Sequence, residues 1–315
     1  MTRFIPKKVK LLILMSLFLI TTLYPVLVVS EKGICFELDE TKSDIISRAA
    51  YYGCNDLLKR QIEKGKNIDL ASKEFYAPIF SAINGYNLTA LKILLENGAN
   101  PNIYLYVKYG RTPLSYAIST TNVDKKPKEH EEFINKTVKL LIEYGANVNG
   151  LKLVRNPALE DSYSPLHYAV SRSKYNLTKY LLQMGAEVNG AGGPSPVFVL
   201  STRKILVLLI EYEIIINVKD ELGRTPMHTV NFFGFQETIK ELKNHGLDIN
   251  AQADQGETPI MYAVLSERLD LVKVFVELGV DLTLRNKDGL TVLGVAYQKD
   301  VKEIIEYLES IGAPR

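Results

Sequence analysis

One short pattern recurs six times along this 315-residue chain and constrains its fold more than any other feature. Each copy has a proline between a small residue and an apolar one, with an alanine or larger aliphatic residue four positions after the proline. A chain that repeats one element in this way folds by stacking copies of a single structural unit. The six prolines are Pro78, Pro113, Pro165, Pro196, Pro226 and Pro259.

A series of glycines keeps step with these prolines. Pro226 and Gly246 are 20 residues apart and Gly246 and Pro259 are 13 apart, so the period is 33 residues. The 20-residue spacing also marks a degenerate copy at each end of the array, from Ile45 to Gly65 and from Val292 to Gly312.

The period and the motif Ser164-Pro-Leu-His-Tyr-Ala169 resemble the ankyrin repeat, whose signature is Thr-Pro-Leu-His-x-Ala. The resemblance implies an all-α repeat solenoid in which each unit is a pair of helices followed by a hairpin tip. It covers nearly all of the chain after a lead-in at residues 31–43. We divide that part into eight units, at about 44–76, 77–111, 112–163, 164–194, 195–224, 225–257, 258–290 and 291–315.

Two local features set the ends of the first helix in each unit. Thr225 and Thr258 stand where an N-cap side chain accepts a hydrogen bond from a backbone N–H, and the proline that follows has no N–H to leave unpaired. Gly53, Gly85 and Gly234 stand at the turn between the helices. We expect this turn to use the positive φ that glycine adopts easily.

Two units depart from the regular spacing. In the third unit Pro113 and Gly145 are 32 residues apart instead of 20, and the insertion around residues 120–132 is polar. We expect it to form a mobile loop between the helices. In the fifth unit Pro196 and Glu213 are only 17 residues apart, which predicts a shortened helix or a tight turn.

Residues 1–30 read as a targeting segment. Four basic residues precede the apolar run Leu11–Leu23, and Pro25 follows it, which is typical of a signal peptide cleaved after Ser30. Residues 9–29 are also long and apolar enough for an uncleaved transmembrane anchor. Both interpretations leave the basic end in the cytoplasm, so we expect the repeat domain to be exported.

The net charge indicates which partners are not expected to bind, and the two cysteines bear on the compartment in which the chain folds. Without residues 1–30 the chain has a net charge of −2, which gives no reason to expect nucleic acid as a ligand. The membrane is then a partner only through an uncleaved leader. The two cysteines, Cys35 and Cys54, form a disulfide or stay as two small apolar side chains; export permits the first.

The sequence contains no pattern typical of catalysis, metal binding or a cofactor. His130 lies among Glu129, Glu131 and Glu132, but it has no second histidine at helical spacing and no Cys-x-x-Cys motif accompanies it. His167 and His228 occupy the signature histidine position, where a hydrogen-bonded structural role is expected. We therefore expect a non-enzymatic chain without a cofactor, and hold an enzyme that uses His130 as a weaker alternative.

A candidate partner-binding cluster lies in the tip before the third unit. Tyrosine and arginine are frequent anchors of protein interfaces, and tips are contact positions in the family that the repeats resemble. A loop that packs on itself is the alternative interpretation. The cluster comprises Tyr104, Tyr106, Lys108, Tyr109 and Arg111.

These features predict a protein-binding module, exported or membrane-anchored, that holds another protein with its tips and the concave face of its first helices. Tyr116, Tyr168 and Tyr262 lie on first helices and serve either as packing residues or as contacts to a ligand. The alternative function is a structural or assembly subunit tied to a membrane by residues 9–29.

Overall fold

The computed structural model describes residues 35, 38–71, 76–104, 111–120, 126–150, 163–190, 194–200, 202–233 and 236–315. Every element in these ranges is a helix, and the helices follow one another in pairs. The expected all-α repeat solenoid is confirmed. No helix of the described ranges is both long and apolar enough to cross a bilayer. The leader at residues 1–30 lies outside the described residues.

One helix pair falls within each of the eight units. The first helices are α1 (Ile45–Tyr52), α3 (Pro78–Asn84), α5 (Pro113–Ser119), α7 (Pro165–Ser171), the 3-10 helix η1 (Pro196–Val199), α10 (Pro226–Phe233), α12 (Pro259–Leu265) and α14 (Val292–Lys299). The second helices are α2 (Asn55–Glu63), α4 (Leu88–Glu96), α6 (Pro127–Glu143), α8 (Tyr175–Gln183), α9 (Arg203–Glu211), α11 (Gln236–Asn244), α13 (Leu269–Glu277) and α15 (Lys302–Ser310).

The first helices begin largely as the sequence predicts. Ser164 Oγ accepts a hydrogen bond from the backbone N–H of His167 at 3.2 Å, and Thr112 Oγ1 accepts one from Ser115 at 3.3 Å. The prediction was wrong for Thr258, which stands at the start of α12 but makes no side-chain cap bond. Its proline neighbour still starts the helix, because the fixed φ of proline suits the first helical position.

The turns between helices need glycine for two different reasons. Gly53 has φ +73°, the positive value that the sequence predicts. Gly85 does not; its φ is −77°, and the next residue, Tyr86, takes φ +58° instead. A Cβ at Gly85 would lie 2.0 Å from the carbonyl oxygen of Tyr51 in the preceding unit. Glycine is therefore required at Gly85 by the close approach of two units.

The hydrophobic core is continuous from the first unit to the last. First helices pack on first helices and second helices on second helices, which gives two layers. Ile79, Leu94, Leu181 and Phe275 are fully buried between them. Each such side chain contributes about 1.5–3 kcal/mol to folding, so a unit gains stability mainly from its neighbours.

Units 3 and 5 differ from the others in opposite ways. In unit 3 the expected loop was wrong for residues 127–132, because α6 begins at Pro127 and runs for 17 residues. The insertion thus lengthens the second helix at its N-terminal end. In unit 5 the predicted shortening is present: the first helix is a four-residue 3-10 turn, and Glu213 closes α9 with φ +62°.

Candidate functional site

The predicted tip cluster is described only at its two ends. Tyr104 and Arg111 lie within the described residues and both are half-buried. Tyr106, Lys108 and Tyr109 lie outside the described residues. The geometry of the cluster as a whole therefore stays a prediction.

Arg111 connects this tip to the first helices. Its Nη1 donates to Ser119 Oγ at 2.9 Å, at the end of α5. Its guanidinium carbon lies 5.3 Å from the centre of the Tyr168 ring on α7, a cation–π contact between the tip before unit 3 and the first helix of unit 4. The side chain is thus held over the surface of the first helices.

Aromatic rings continue this surface toward unit 2. The Tyr116 ring centre lies 5.3 Å from that of Phe80 and 6.4 Å from that of Tyr76, both in edge-to-face geometry. Burial raises the pKa of the Tyr116 hydroxyl, while Tyr76 is 40% exposed. We call Tyr76, Tyr116, Tyr168 and Arg111 the aromatic cluster. Sequence reasoning missed Tyr76, whose one signal was its position directly before the Ala77-Pro78 start of α3.

The two signature histidines are buried in the repeat framework. His228 Nδ1 accepts the backbone N–H of Thr225 at 3.0 Å, and its Nε2 lies 3.1 Å from the Glu257 carbonyl oxygen. The His167 ring stacks on Tyr163 with centres 4.2 Å apart. Burial lowers the pKa of His228 and lowers that of His167 to about 4. Both rings are therefore neutral at pH 7.

His130 has neighbours that fix its position. It lies in the extended part of α6, where its Nδ1 is hydrogen-bonded to the Tyr86 hydroxyl. The Tyr86 ring also stacks on Phe133, with centres 4.4 Å apart. Burial lowers the pKa of His130. Through these contacts His130 joins α6 to unit 2. Among the described residues no group of three or more histidines, cysteines or acids is arranged to hold a metal ion.

The N-terminal end of the array is tied to its lead-in. A disulfide joins Cys35 to Cys54, which lies between α1 and α2. Glu40 accepts hydrogen bonds from Lys64 at 2.9 Å and from Gln61 at 2.6 Å. The lead-in thus contacts α2 through Glu40 and the turn between α1 and α2 through Cys35.

Family models cover more than half of the chain. The model described as ankyrin repeats (3 copies) matches residues 46–125 and 199–286. The model described as ankyrin repeat matches residues 161–191. The matched residues therefore lie in units 1 to 7 of the array.

Proteins of several kinds are similar to this chain over part or most of its length. Alpha-latrotoxin-Lg1a of Latrodectus geometricus is 28% identical over 155 residues, which cover 47% of this chain and 11% of that protein. Putative ankyrin repeat protein FPV115 of Fowlpox virus is 27% identical over 238 residues, 75% of this chain and 40% of that protein. Transient receptor potential cation channel subfamily A member 1 of Homo sapiens is 21% identical over 301 residues, 86% of this chain and 27% of the channel. The chain spans less than half the length of each of them.

Proposed function

The chain belongs to the ankyrin-repeat family, and from that premise we propose that it is a non-enzymatic module that binds another protein through its tips and the surface of its first helices. The observation that carries the proposal is the position of Arg111 over the Tyr168 ring. Arginine and tyrosine are the side chains most frequent in interface anchors; here the half-buried Arg111 packs on the buried Tyr168, and Tyr76, which is 40% exposed, packs on Tyr116.

The aromatic cluster suits a protein ligand better than a small molecule. Tyr76 exposes 40% of its surface, while Tyr116 and Tyr168 are held by neighbouring rings, so few side-chain rotamers are lost on binding. The cluster takes residues from units 1 to 4, and a ligand that contacts all of it crosses several repeats. Such an extended contact is typical of a protein partner.

A matched pair of tyrosines tests the surface. Tyr76 and Tyr297 are each 40% exposed, but Tyr297 lies in the last unit. We expect Tyr76→Ala to lower the amount of partner recovered by cross-linking from the native host, and Tyr297→Ala to leave it unchanged. Equal recovery with both variants, each shown to be folded by circular dichroism, would exclude the aromatic cluster as the binding surface.

We also propose that the repeat domain is exported. The leader at residues 1–30 supports this, and so does the bond between Cys35 and Cys54, since disulfides persist mainly in oxidising compartments. Mass spectrometry of the protein from its host distinguishes a cleaved signal peptide from an uncleaved membrane anchor. A mature chain that begins at Glu31 indicates cleavage, and an intact Met1 in the membrane fraction indicates the anchored structural subunit. An intact soluble chain in the cytoplasm contradicts both.

A further inference from the structure

A cavity of about 730 Å³ lies at the turns between helices in the middle of the array. It is open to solvent and is lined by residues of α6, of the turn 172–174, of α8 and of α9, so units 3, 4 and 5 all contribute to it. Its volume falls within the range of ligand sites. The residues that matter for its chemistry are Glu131, Arg172, Lys174, Tyr175, Arg203 and Lys204.

The two irregular units explain why the cavity is there. In unit 4 the second helix begins ten residues after Pro165, whereas in unit 5 it begins seven residues after Pro196. Unit 5 therefore lacks the residues that would lie beside the turn 172–174 of unit 4. On the other side, the extension of α6 adds a wall that carries Glu131.

The cavity has an excess of positive charge. We call Arg172, Lys174, Arg203 and Lys204 the basic notch; they face one lining carboxylate, Glu131. Lys174 Nζ lies 3.3 Å from Glu131, and Arg203 Nε lies 2.7 Å from Glu241 outside the lining. Within the described ranges neither Arg172 nor Lys204 has a carboxylate oxygen within 4 Å.

Arg172 is the most constrained of these cations. It is half-buried and donates from Nη2 to the carbonyl oxygen of Ser119, a neutral acceptor. Burial and the like charge of Arg111 lower the pKa of Arg172, which means that the charged form lacks compensation. A negatively charged group in the cavity supplies that compensation.

The N-terminal ends of the helices around the notch also favour a negatively charged ligand. The first turns of α8 and α9 contain no acidic residue, and α9 begins with Arg203 and Lys204. The second helices of units 6 to 8 have an acid there, as the helix dipole favours. Two cations at the start of α9 oppose its dipole, and an anion bound beside them offsets this cost.

We propose that the basic notch binds an acidic segment of a partner protein, with aspartate or glutamate carboxylates between Arg172, Arg203 and Lys204. The inference rests on the proposed protein-binding function and adds the chemistry of the partner. Tyr175, 39% exposed, and Val207 line the same cavity and contact the apolar atoms that flank the carboxylates in a peptide. Nucleic acid is a poorer match, because its binding requires an extended basic surface and this chain has a net charge of +2.

Fluorescence anisotropy with the purified full chain tests the notch, with fluorescein-labelled hexaglutamate as the probe and hexaglutamine as its neutral control. We expect the glutamate peptide to bind and the glutamine peptide not to, with affinity falling as salt is raised. Lys204→Glu should weaken binding about fivefold or more, since it reverses an exposed charge inside the notch. Lys302→Glu, the same change in the first turn of α15, should leave binding unchanged.

Three results overturn the inference: no binding of the glutamate peptide, equal effects of the Lys204 and Lys302 changes, or displacement of the peptide by inorganic phosphate at constant ionic strength. The last would mean a site for free phosphate. The proposed function is judged separately through Tyr76. If Tyr76→Ala lowers partner recovery while the peptide does not bind, the function stands and the acidic partner segment is wrong.

Discussion

His228 Nε2 lies 3.1 Å from the carbonyl oxygen of Glu257, the residue before the N-cap of α12 in the next unit. The other ring nitrogen, Nδ1, accepts the backbone N–H of Thr225 at 3.0 Å. Only a neutral ring with its proton on Nε2 satisfies both contacts. The signature histidine thus joins the start of α10 to the segment just before α12 only while it is uncharged.

The first prediction is a loss of stability in acid that depends on His167. Burial lowers its pKa from 6.5 to about 4, so between these values the unfolded chain binds a proton that the folded chain does not. Stability is full above pH 6.5 and falls as the pH drops toward 4, by about 3 kcal/mol from this residue. The free energy of unfolding at pH 7 and pH 4.5 should therefore differ less in His167→Gln than in the parent chain.

A ring titration distinguishes this cause from the protonation of carboxylates over the same range. The NMR signal of His167 in the folded protein should titrate well below pH 6. If it titrates near 6.5, or if the variant loses as much stability in acid as the parent, the buried ring is not the origin of the effect.

The second prediction compares two glycines. Gly85→Ala puts a Cβ 2.0 Å from the Tyr51 carbonyl oxygen, and the two units must move apart at a cost of about 3 kcal/mol. Gly98→Ala meets no atom within 4 Å and costs about 1 kcal/mol through its φ of +87°. Urea unfolding of both variants measures which substitution lowers the free energy of unfolding more. A larger cost at Gly98 would mean that φ, and not the approach of the units, decides which sites need glycine.

The third prediction concerns the lead-in. The bridge between Cys35 and Cys54 closes a loop over a sequence separation of 19, so its loss should lower the free energy of unfolding by about 3 kcal/mol. Cys35→Ser should match the parent chain under reducing conditions. Cys54 is buried, so Cys35→Ser alone keeps that packing and isolates the effect of the bridge. If Cys35→Ser unfolds like the oxidised parent, the bridge does not contribute to stability.

The sequence predicted the helix pairs because proline and glycine mark helix ends by their backbone chemistry alone. It failed where two units interact. Gly85 has the expected residue type but a negative φ, and the reason is Tyr51 in another unit. The insertion before residue 132 was taken for a loop because it is polar, although polarity also suits an exposed helix end such as that of α6. A single unit does not contain the information that decides these cases.

For the candidate sites, too, the sequence predicted single residues but not the contacts between units. Arg111 was predicted from its place in a tip, and its contact with Tyr168 depends on how the units stack, because Tyr168 lies in unit 4. The basic notch was missed entirely, because Arg172 and Lys204 come from different units and have no common motif. Its one sequence signal was the combination of a long unit and a short unit on either side of a regular one.

The last prediction separates binding from folding. If the predicted tip cluster is an anchor, Tyr106→Ala with Tyr109→Ala should weaken partner binding by about 2 kcal/mol or more and leave the melting temperature unchanged, since we expect tip residues to contribute little to the stacked core. Leu181→Ala should do the reverse. Leu181 is fully buried in α8, and its truncation should cost roughly 2–5 kcal/mol of stability through lost burial and a cavity. Both variants need melting and binding measurements, because an unfolded chain also fails to bind. A folded double tyrosine variant that binds like the parent would show that this tip is not the interaction site.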